Sequence, residues 1–294
     1  MNLCHKFGSR GIMEGESSET SGSAVNSDSG IIVADASNHR VQVFDQDGGF
    51  KFQFGEVGMG DCQMYFSIRA VVARATLHII VIERALTHQS GSLELQHPRG
   101  VAVNPVVHMV VIESRDMRNV IVDKRGNLLR KFITFDVAVI FYTLQLGILV
   151  KSPETFFISD NLAHFVKVFS YTGAYLRQIG GEGVTNVPVA VCLIGAGYGL
   201  VANKHRGFKV IVFTQEGVLL KTQNYNIKHT HCFDVAYMDG EPVVLASKYC
   251  VIDVYHFAEA PQAPADAYPL VVPVPPSSLL FRLVSSGAHS SKAF

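Results

Sequence analysis

Cations, histidines and a few aromatics set in polar loops are the residues of this 294-residue chain that could do chemistry. The chemistry that suits them is recognition of an anionic partner, since guanidinium and ammonium groups gathered on one local face neutralise negative charge. Other chemistries find no matching set. His229 and His231 flank Thr230 like half of a metal site, but no third ligand accompanies them, and the pair reads as a surface join. The cysteines, Cys4, Cys62, Cys192, Cys232 and Cys250, are odd in number and scattered, without a CxxC pair. That pattern argues against a zinc cluster or a disulfide framework and fits a reducing cytosol. No Ser-His-Asp grouping, acidic cluster or phosphate-cradling Gly loop can be assigned. The expectation is therefore no catalytic residue, no metal, no cofactor and no enzyme.

Composition is compatible with one large domain. Hydrophobic residues make up 48% and charged residues 17%, while Lys+Arg and Asp+Glu are both 25. A neutral chain has no overall attraction for nucleic acid or membrane, yet it can still present a local basic face. The N-terminus, MNLCHKFGSR, lacks the apolar core of a signal peptide. Phe135 to Val150 (FDVAVIFYTLQLGILV) is apolar, but Asp136 and Gln145 interrupt it and it is short of the ~20 residues of a spanning helix. It reads as two buried strands and a join.

The elements that must position the loop residues emerge from internal repeats. Ile31 to Gly55 (IIVADASNHRVQVFDQDGGFKFQFG) contains an apolar strand, a polar loop, an alternating strand, a Gly turn and a third strand. The order recurs at Phe157 to Gly180, more weakly at Val110 to Phe132 and Gly199 to Lys221, and in part at Val243 to Phe257. His97–Val103 and Pro188–Leu193 supply short inner strands between the units. The pairs at 47–48, 125–126, 172–173 and 216–217 each end in Gly and suit hairpin turns. Four-stranded units at a period of roughly 40–48 residues predict an all-β, six-bladed propeller over 1–257. Cys4–Gly8 is expected to complete the last blade and close the ring. The second blade lacks an obvious third strand, and the fourth has lost turn signals in its first half, so both read as partly degenerate. Residues 258–294, Pro- and Ser-rich, are expected to form a disordered tail.

In a blade of antiparallel strands a to d, the b–c loops and the d–a joins lie on one face and the a–b and c–d turns on the other. That places Arg40, Arg69, Arg84, Arg99, Arg115, Arg118, Lys204 and Arg206 on one surface with His39, His164 and His205. Asp35 and Asp160, ending strand b, are expected to cap the loops that follow. Arg40 suits ligand contact and blade bracing equally.

IIVADASNHRVQVFD is an NHL repeat. With GEVGMGDCQMYF, LQHPRGVAV, FISDNLAHFVKVF, YLRQIGGEGVTN and HCFDVAYMDGEPVVLASK it resembles the NHL propellers of the Brain tumor (Brat) / TRIM-NHL family, collinearly over residues 2 to 257. The resemblance implies a propeller that binds U-rich single-stranded RNA on one face, recruits protein co-repressors, and acts in the cytoplasm in translational repression of mRNA. Of the family's RNA-contacting positions, His39, Arg84, Arg99 and Asn161 match directly. Phe66 stands for a Tyr, Ser114 and Arg115 for Cys-Lys, and Lys204 for an Asn. His164 belongs to the same loop set. Leu162, Val187 and Leu144 replace an Arg, a Tyr and a Phe, which predicts weaker binding than the family standard. The chain shows no RING finger or B-box, so ligase activity is not expected of it, and a monomer is.

Three rivals remain. Lyases and lactonases on related six-bladed scaffolds need convergent metal ligands that this pattern does not offer. A protein-interaction scaffold without RNA binding fits the changed contact positions. A defective fold, from the shortened second blade, would expose a sheet edge.

Overall fold

The computed structural model describes residues 3–26, 28–58, 63–64, 67–73, 78–83, 95, 98–104, 108–113, 118–133, 148–151, 155–160, 163–194, 198–203, 208–214, 217–225, 232–238, 241–248, 250–256 and 281–284. They form strands throughout, with one 3-10 turn at Ala36–Asn38 and no α-helix among the described residues. In chain order the strands are β1 Leu3–Phe7, β2 Ser9–Arg10, β3 Glu16–Ser17, β4 Thr20–Val25, β5 Ile31–Asp35, β6 Arg40–Phe44, β7 Phe50–Phe54, β8 Glu56–Val57 and β9 Gln63–Met64. There follow β10 Ser67–Ala73, β11 His78–Glu83, β12 Pro98–Val103, β13 Met109–Glu113, β14 Arg118–Val122, β15 Leu128–Ile133, β16 Ile148–Lys151, β17 Thr155–Asp160, β18 Phe165–Ser170 and β19 Tyr175–Gly180. The last are β20 Pro188–Ile194, β21 Tyr198–Asn203, β22 Phe208–Phe213, β23 Leu219–Tyr225, β24 Cys232–Met238, β25 Glu241–Lys248, β26 Val251–His256 and β27 Phe281–Val284.

Consecutive strands pair into meanders. Among the described residues, five sheets have four strands: β4–β7, β12–β15, β16–β19, β20–β23, and β24–β26 joined by β1. A further sheet has three, β10, β11 and β27. The expected closure is present: β1 pairs antiparallel with β26 (Phe7 opposite Ile252), so the first residues of the chain finish the sheet that its last repeat begins. The sheet read as degenerate at the fourth unit has its full four strands, the innermost, β16, being only four residues long. Residues 134–147, the other half of the apolar stretch read as two strands, lie outside the described residues.

Why these strands stack is visible in the second strand of each unit. Ile31–Asp35 and Met109–Glu113 are buried at every position, which a strand covered on both faces requires. Ile31 and Val33 pack with Phe7, Ile252 and Val254 of the preceding sheet, whereas Ile32 and Ala34 pack with Met64 and Val81 on the other side. Val110 and Ile112 meet Phe156 and Ile158 in the same manner, and Phe157 meets Val191, Val201 and Phe213. Side chains of alternating direction thus weld sheet to sheet, the all-β propeller arrangement.

The Gly pairs do what their chemistry requires. In the third–fourth strand turn of the first unit, Asp45 Oδ1 accepts from the N–H of Asp47 (3.1 Å) and Gly49 (2.6 Å), and Gly48 sits at φ 87°. Asp123 does the same for Arg125 and Asn127; the Asn127 side chain, with backbone donors, holds its carboxyl below the usual value. In the next two units the acceptor is Ser170 Oγ for Ala174 N–H and Thr214 Oγ1 for Val218 N–H. A register shift beside each turn, at Val43/Phe44, Ile121/Val122, Val168/Phe169 and Val212/Phe213, marks the bulge that accompanies a left-handed residue there.

Candidate nucleic-acid interface

Strand register decides which ends of the strands meet. The start of the first strand lies opposite the end of the second: Thr20 opposite Asp35, Ser67 opposite Glu83, Pro98 opposite Glu113, Pro188 opposite Asn203. The third strand begins at the same edge, with Arg40 opposite Asp35 and Arg118 opposite Glu113. Loops between second and third strands therefore share an edge with the joins entering each sheet, as the alternation of chain direction predicts.

At that edge the first strand carries a bulge in four sheets, falling between Thr20 and Gly22, Ser67 and Arg69, Pro98 and Gly100, and Pro188 and Ala190. Arg99 is the extra residue in its sheet. A bulge is the device that turns a side chain out of the ladder. Glu113, opposite the preceding Pro98, is followed in the chain by Ser114 and Arg115. Phe66 and Arg84 adjoin the paired residues Ser67 and Glu83 in the same fashion. Phe66, Arg84, Ser114, Arg115, Asn161 and Lys204 themselves lie outside the described residues, as do Leu144, Leu162 and His205.

His39 and His164 occupy equivalent places, each closing the second–third loop of its sheet in the left-handed conformation, with φ 56° and 62°. Both are half-buried. His164 is held from both ends: its Nδ1 accepts from the Val187 N–H at 3.1 Å, and its carbonyl accepts from Thr185 Oγ1 at 2.6 Å. With Nδ1 occupied as an acceptor, the ring proton sits on Nε2. Val187 is itself at φ 55°, an unfavourable conformation for a β-branched residue that this hydrogen bond helps retain.

The structure corrects the basic face at two positions. Arg40 is only 6% exposed. Its Nε binds Asp35 Oδ2 at 3.2 Å, one terminal nitrogen binds Gln53 Oε1 at 2.7 Å, and the other binds the carbonyls of Met13 and Glu16 at 2.8 and 2.7 Å. Arg118 is bound through Nε to the buried Glu113 carboxylate. Neither is a ligand-facing cation. Lys167 likewise pairs with Asp160 at 3.1 Å. Asp35 departs from the capping role expected of it: no backbone N–H of the loop that follows bonds its carboxylate, which instead accepts from the N–H of Ser18 and Glu19 in the join before β4, from Asn38 Nδ2 and from Arg40. Asp160 accepts from the Ala163 N–H.

Sequence reasoning missed the residues that brace this edge. Thr185, fully buried, ties Gly181 to His164, and its signal was the Gly-Gly-x-Gly-x-Thr string that ends in a hydroxyl-capped turn. Asn38 bridges Asp35 and the Gly11 carbonyl. Cys250, in the corresponding loop of the last sheet, is buried with Sγ donating to the Ser18 carbonyl, and burial pushes its thiol up. Among the described residues no group of three or more potential metal ligands converges, and no helix is long and apolar enough to cross a membrane.

The fold defines the class: an all-β propeller. Streptogramin B lyase shares the fold, with TM-score 0.62 and 13% identity over 86% of this chain and 97% of that one. A Xanthomonas campestris gluconolactonase does too, with TM-score 0.60 and 14% identity over 83% and 88%. Likeness at that identity speaks for the fold alone. The NHL repeat model matches residues 21–44. Protein brain tumor of Drosophila melanogaster is 45% identical over 267 residues, 86% of this chain and 25% of that protein. B-box type zinc finger protein ncl-1 of Caenorhabditis elegans is 44% identical over 268 residues, 87% and 31%. The chain belongs to the Brain tumor / TRIM-NHL family of NHL-repeat propellers, and it spans between a quarter and a third of the length of these relatives.

Proposed function

We propose that this chain is a six-bladed NHL propeller, its three-stranded sheet standing in the place of a reduced second blade. On this reading it binds U-rich single-stranded RNA and acts, as a cytoplasmic monomer with protein co-repressors, in post-transcriptional repression of mRNA. It is a binding platform and not an enzyme. The observation that supports the reading is the strand edge shared by the second–third loops and the joins entering each sheet. His39 and His164 end equivalent loops there, Arg99 is a bulge residue, and Phe66, Arg84, Ser114, Arg115, Asn161 and Lys204 adjoin that edge in the chain. Cations supply phosphate affinity, and Phe66 and His39 stack on bases.

Fluorescence anisotropy with a labelled U-rich strand and a C-rich control, at several salt concentrations, tests this. With Arg40 and Arg118 committed internally, the face retains Arg69, Arg84, Arg99, Arg115, Lys204 and Arg206. For single strands each phosphate contact contributes a log–log salt slope of about 0.7, so the expected slope magnitude is no more than about 4. U-rich preference that collapses in Arg84→Ala/Arg99→Ala supports the reading. A folded chain with no salt-sensitive binding refutes it.

A protein-interaction scaffold is the second reading. Leu129, Tyr175, Leu176, Leu219 and Leu220, at the outer strands of three successive sheets, are each 46–53% exposed. Pull-down of partners that survives high salt, without RNA binding, distinguishes it.

A further inference from the structure

The sheet of β10, β11 and β27 is built unlike the rest. Elsewhere the second strand of a unit is followed by its own third strand, antiparallel, from the next few residues. Here β11 has on its outer side β27, parallel, from the C-terminal segment: Ile80 lies opposite Phe281, Val81 opposite Arg282, Ile82 opposite Leu283 and Glu83 opposite Val284. At the centre of β11 the side chains are already committed. Ile80, fully buried, packs with Met109, Val111, Val120 and Val122 of the following sheet, and Val81 packs with Ile32, Val41 and Val43 of the preceding one. What this strand has left to offer is main chain. A strand buried on both faces with one open row of N–H and C=O groups is a costly exposure and a template for pairing with any extended segment.

We propose that the outer edge of β11 is a strand-acceptor site whose occupant is the chain's own segment Phe281–Val284, docked reversibly, so that the tail substitutes for the missing third strand and denies the edge to other copies. Three features carry this. The pairing is only four residues long, which favours exchange over permanent incorporation. The occupant is joined to β26 through residues 257–280, an interval whose reach is on the order of 80 Å when fully extended. A tether of this kind presents the segment at an effective concentration on the order of millimolar, enough to hold a weak strand in place. Recognition is by main-chain hydrogen bonds, the mode of β-augmentation, and so tolerates any extended segment that can present them.

The test uses the full chain. Successive amides of a strand point to opposite sides, so Arg282→Pro/Leu283→Pro removes an edge-facing donor whichever way the segment lies. Hydrogen exchange of residues 79–83, followed by mass spectrometry, is expected to be slow in the natural chain and at least about tenfold faster in the double variant. Adding a free peptide of residues 277–286 (SSLLFRLVSS) at millimolar concentration is expected to restore protection, whereas the same peptide with both prolines does not. Equal exchange in the two chains overturns the proposal, as does acceleration that the free peptide leaves unchanged. Should the variant self-associate, recovery of monomer on adding the peptide in light scattering supports it, and persistence of the oligomer overturns it. RNA binding is not read in any arm, so the outcome is independent of the proposed ligand.

Discussion

Replacing Arg40 by Met keeps the aliphatic length and removes the guanidinium. It should cost this protein stability and not ligand affinity. Asp35 is completely buried, and the Arg40 side chain is 8% exposed. The substitution strips Asp35 of its one cation and leaves it three neutral donors, the N–H groups of Ser18 and Glu19 and the Asn38 amide. It also takes the guanidinium donor from the Gln53 amide oxygen and from the carbonyls of Met13 and Glu16, which keep the Glu16 N–H and Gln42 Nε2 respectively. Breaking a buried pair from one side costs about 3–5 kcal/mol, because the surviving charge stays desolvated. For a domain of this size that lowers Tm by on the order of 10 °C. Thermal and urea unfolding followed by circular dichroism measures it. Asp35→Asn in the Arg40→Met background removes the orphaned charge and should return part of the loss, which a double-mutant cycle quantifies. A loss below about 1 kcal/mol, the range of an exposed pair, would refute the buried-brace argument. Unchanged stability with weakened RNA binding would return Arg40 to the ligand face.

Two further perturbations isolate single causes. Gly48 and Gly126 hold the same turn position at φ 87° and 82°, but a Cβ on Gly48 would lie 2.5 Å from Phe7 while one on Gly126 meets nothing within 4 Å. Gly126→Ala should therefore cost about 1–2 kcal/mol from backbone strain alone, and Gly48→Ala about 1–3 kcal/mol more from the collision with the closing strand; equal losses in urea melts would sink the distinction. Cys250 is buried with its thiol pushed up, whereas Cys4 is exposed. Iodoacetamide at pH 8, followed by peptide mapping, should label Cys4 at least about tenfold faster than Cys250, and comparable rates would contradict the burial of the last loop.

The strands were legible because burial on both faces leaves continuous apolar runs such as Ile31–Ala34, and the turns because a left-handed fourth position calls for Gly. Closure by β1 was legible too, since an orphan Lys-Phe-Gly ending at Gly8 matches the ends of later units. The arginines were harder. Arg40 and Arg84 both follow a strand and a polar residue, and a loop cation reads the same whether it faces solvent or an internal carboxylate. A usable signal existed: an acid ending the second strand and a cation opening the third, five residues on, at Asp35/Arg40 and at Glu113/Arg118. Across a hairpin those residues must be directly opposed. No comparable signal announces β27, because its partner β11 lies far away in the chain.

The same acid–cation pairs change how the loop face should be understood. At three corners the charge that ends the second strand is cancelled within the sheet, by Arg40, Arg118 and Lys167. These pairs fasten the loop bases, while His164 is held in addition by the Val187 N–H and Thr185 Oγ1. A ligand approaching this edge meets loops already anchored and loses less conformational freedom in ordering them. It also meets fewer cations than the sequence advertises, so selectivity has to come from how the loop residues are aimed and not from how much charge they carry. On the proposed RNA-binding reading, that division of labour is how a chain with no net charge would present a surface for an anion.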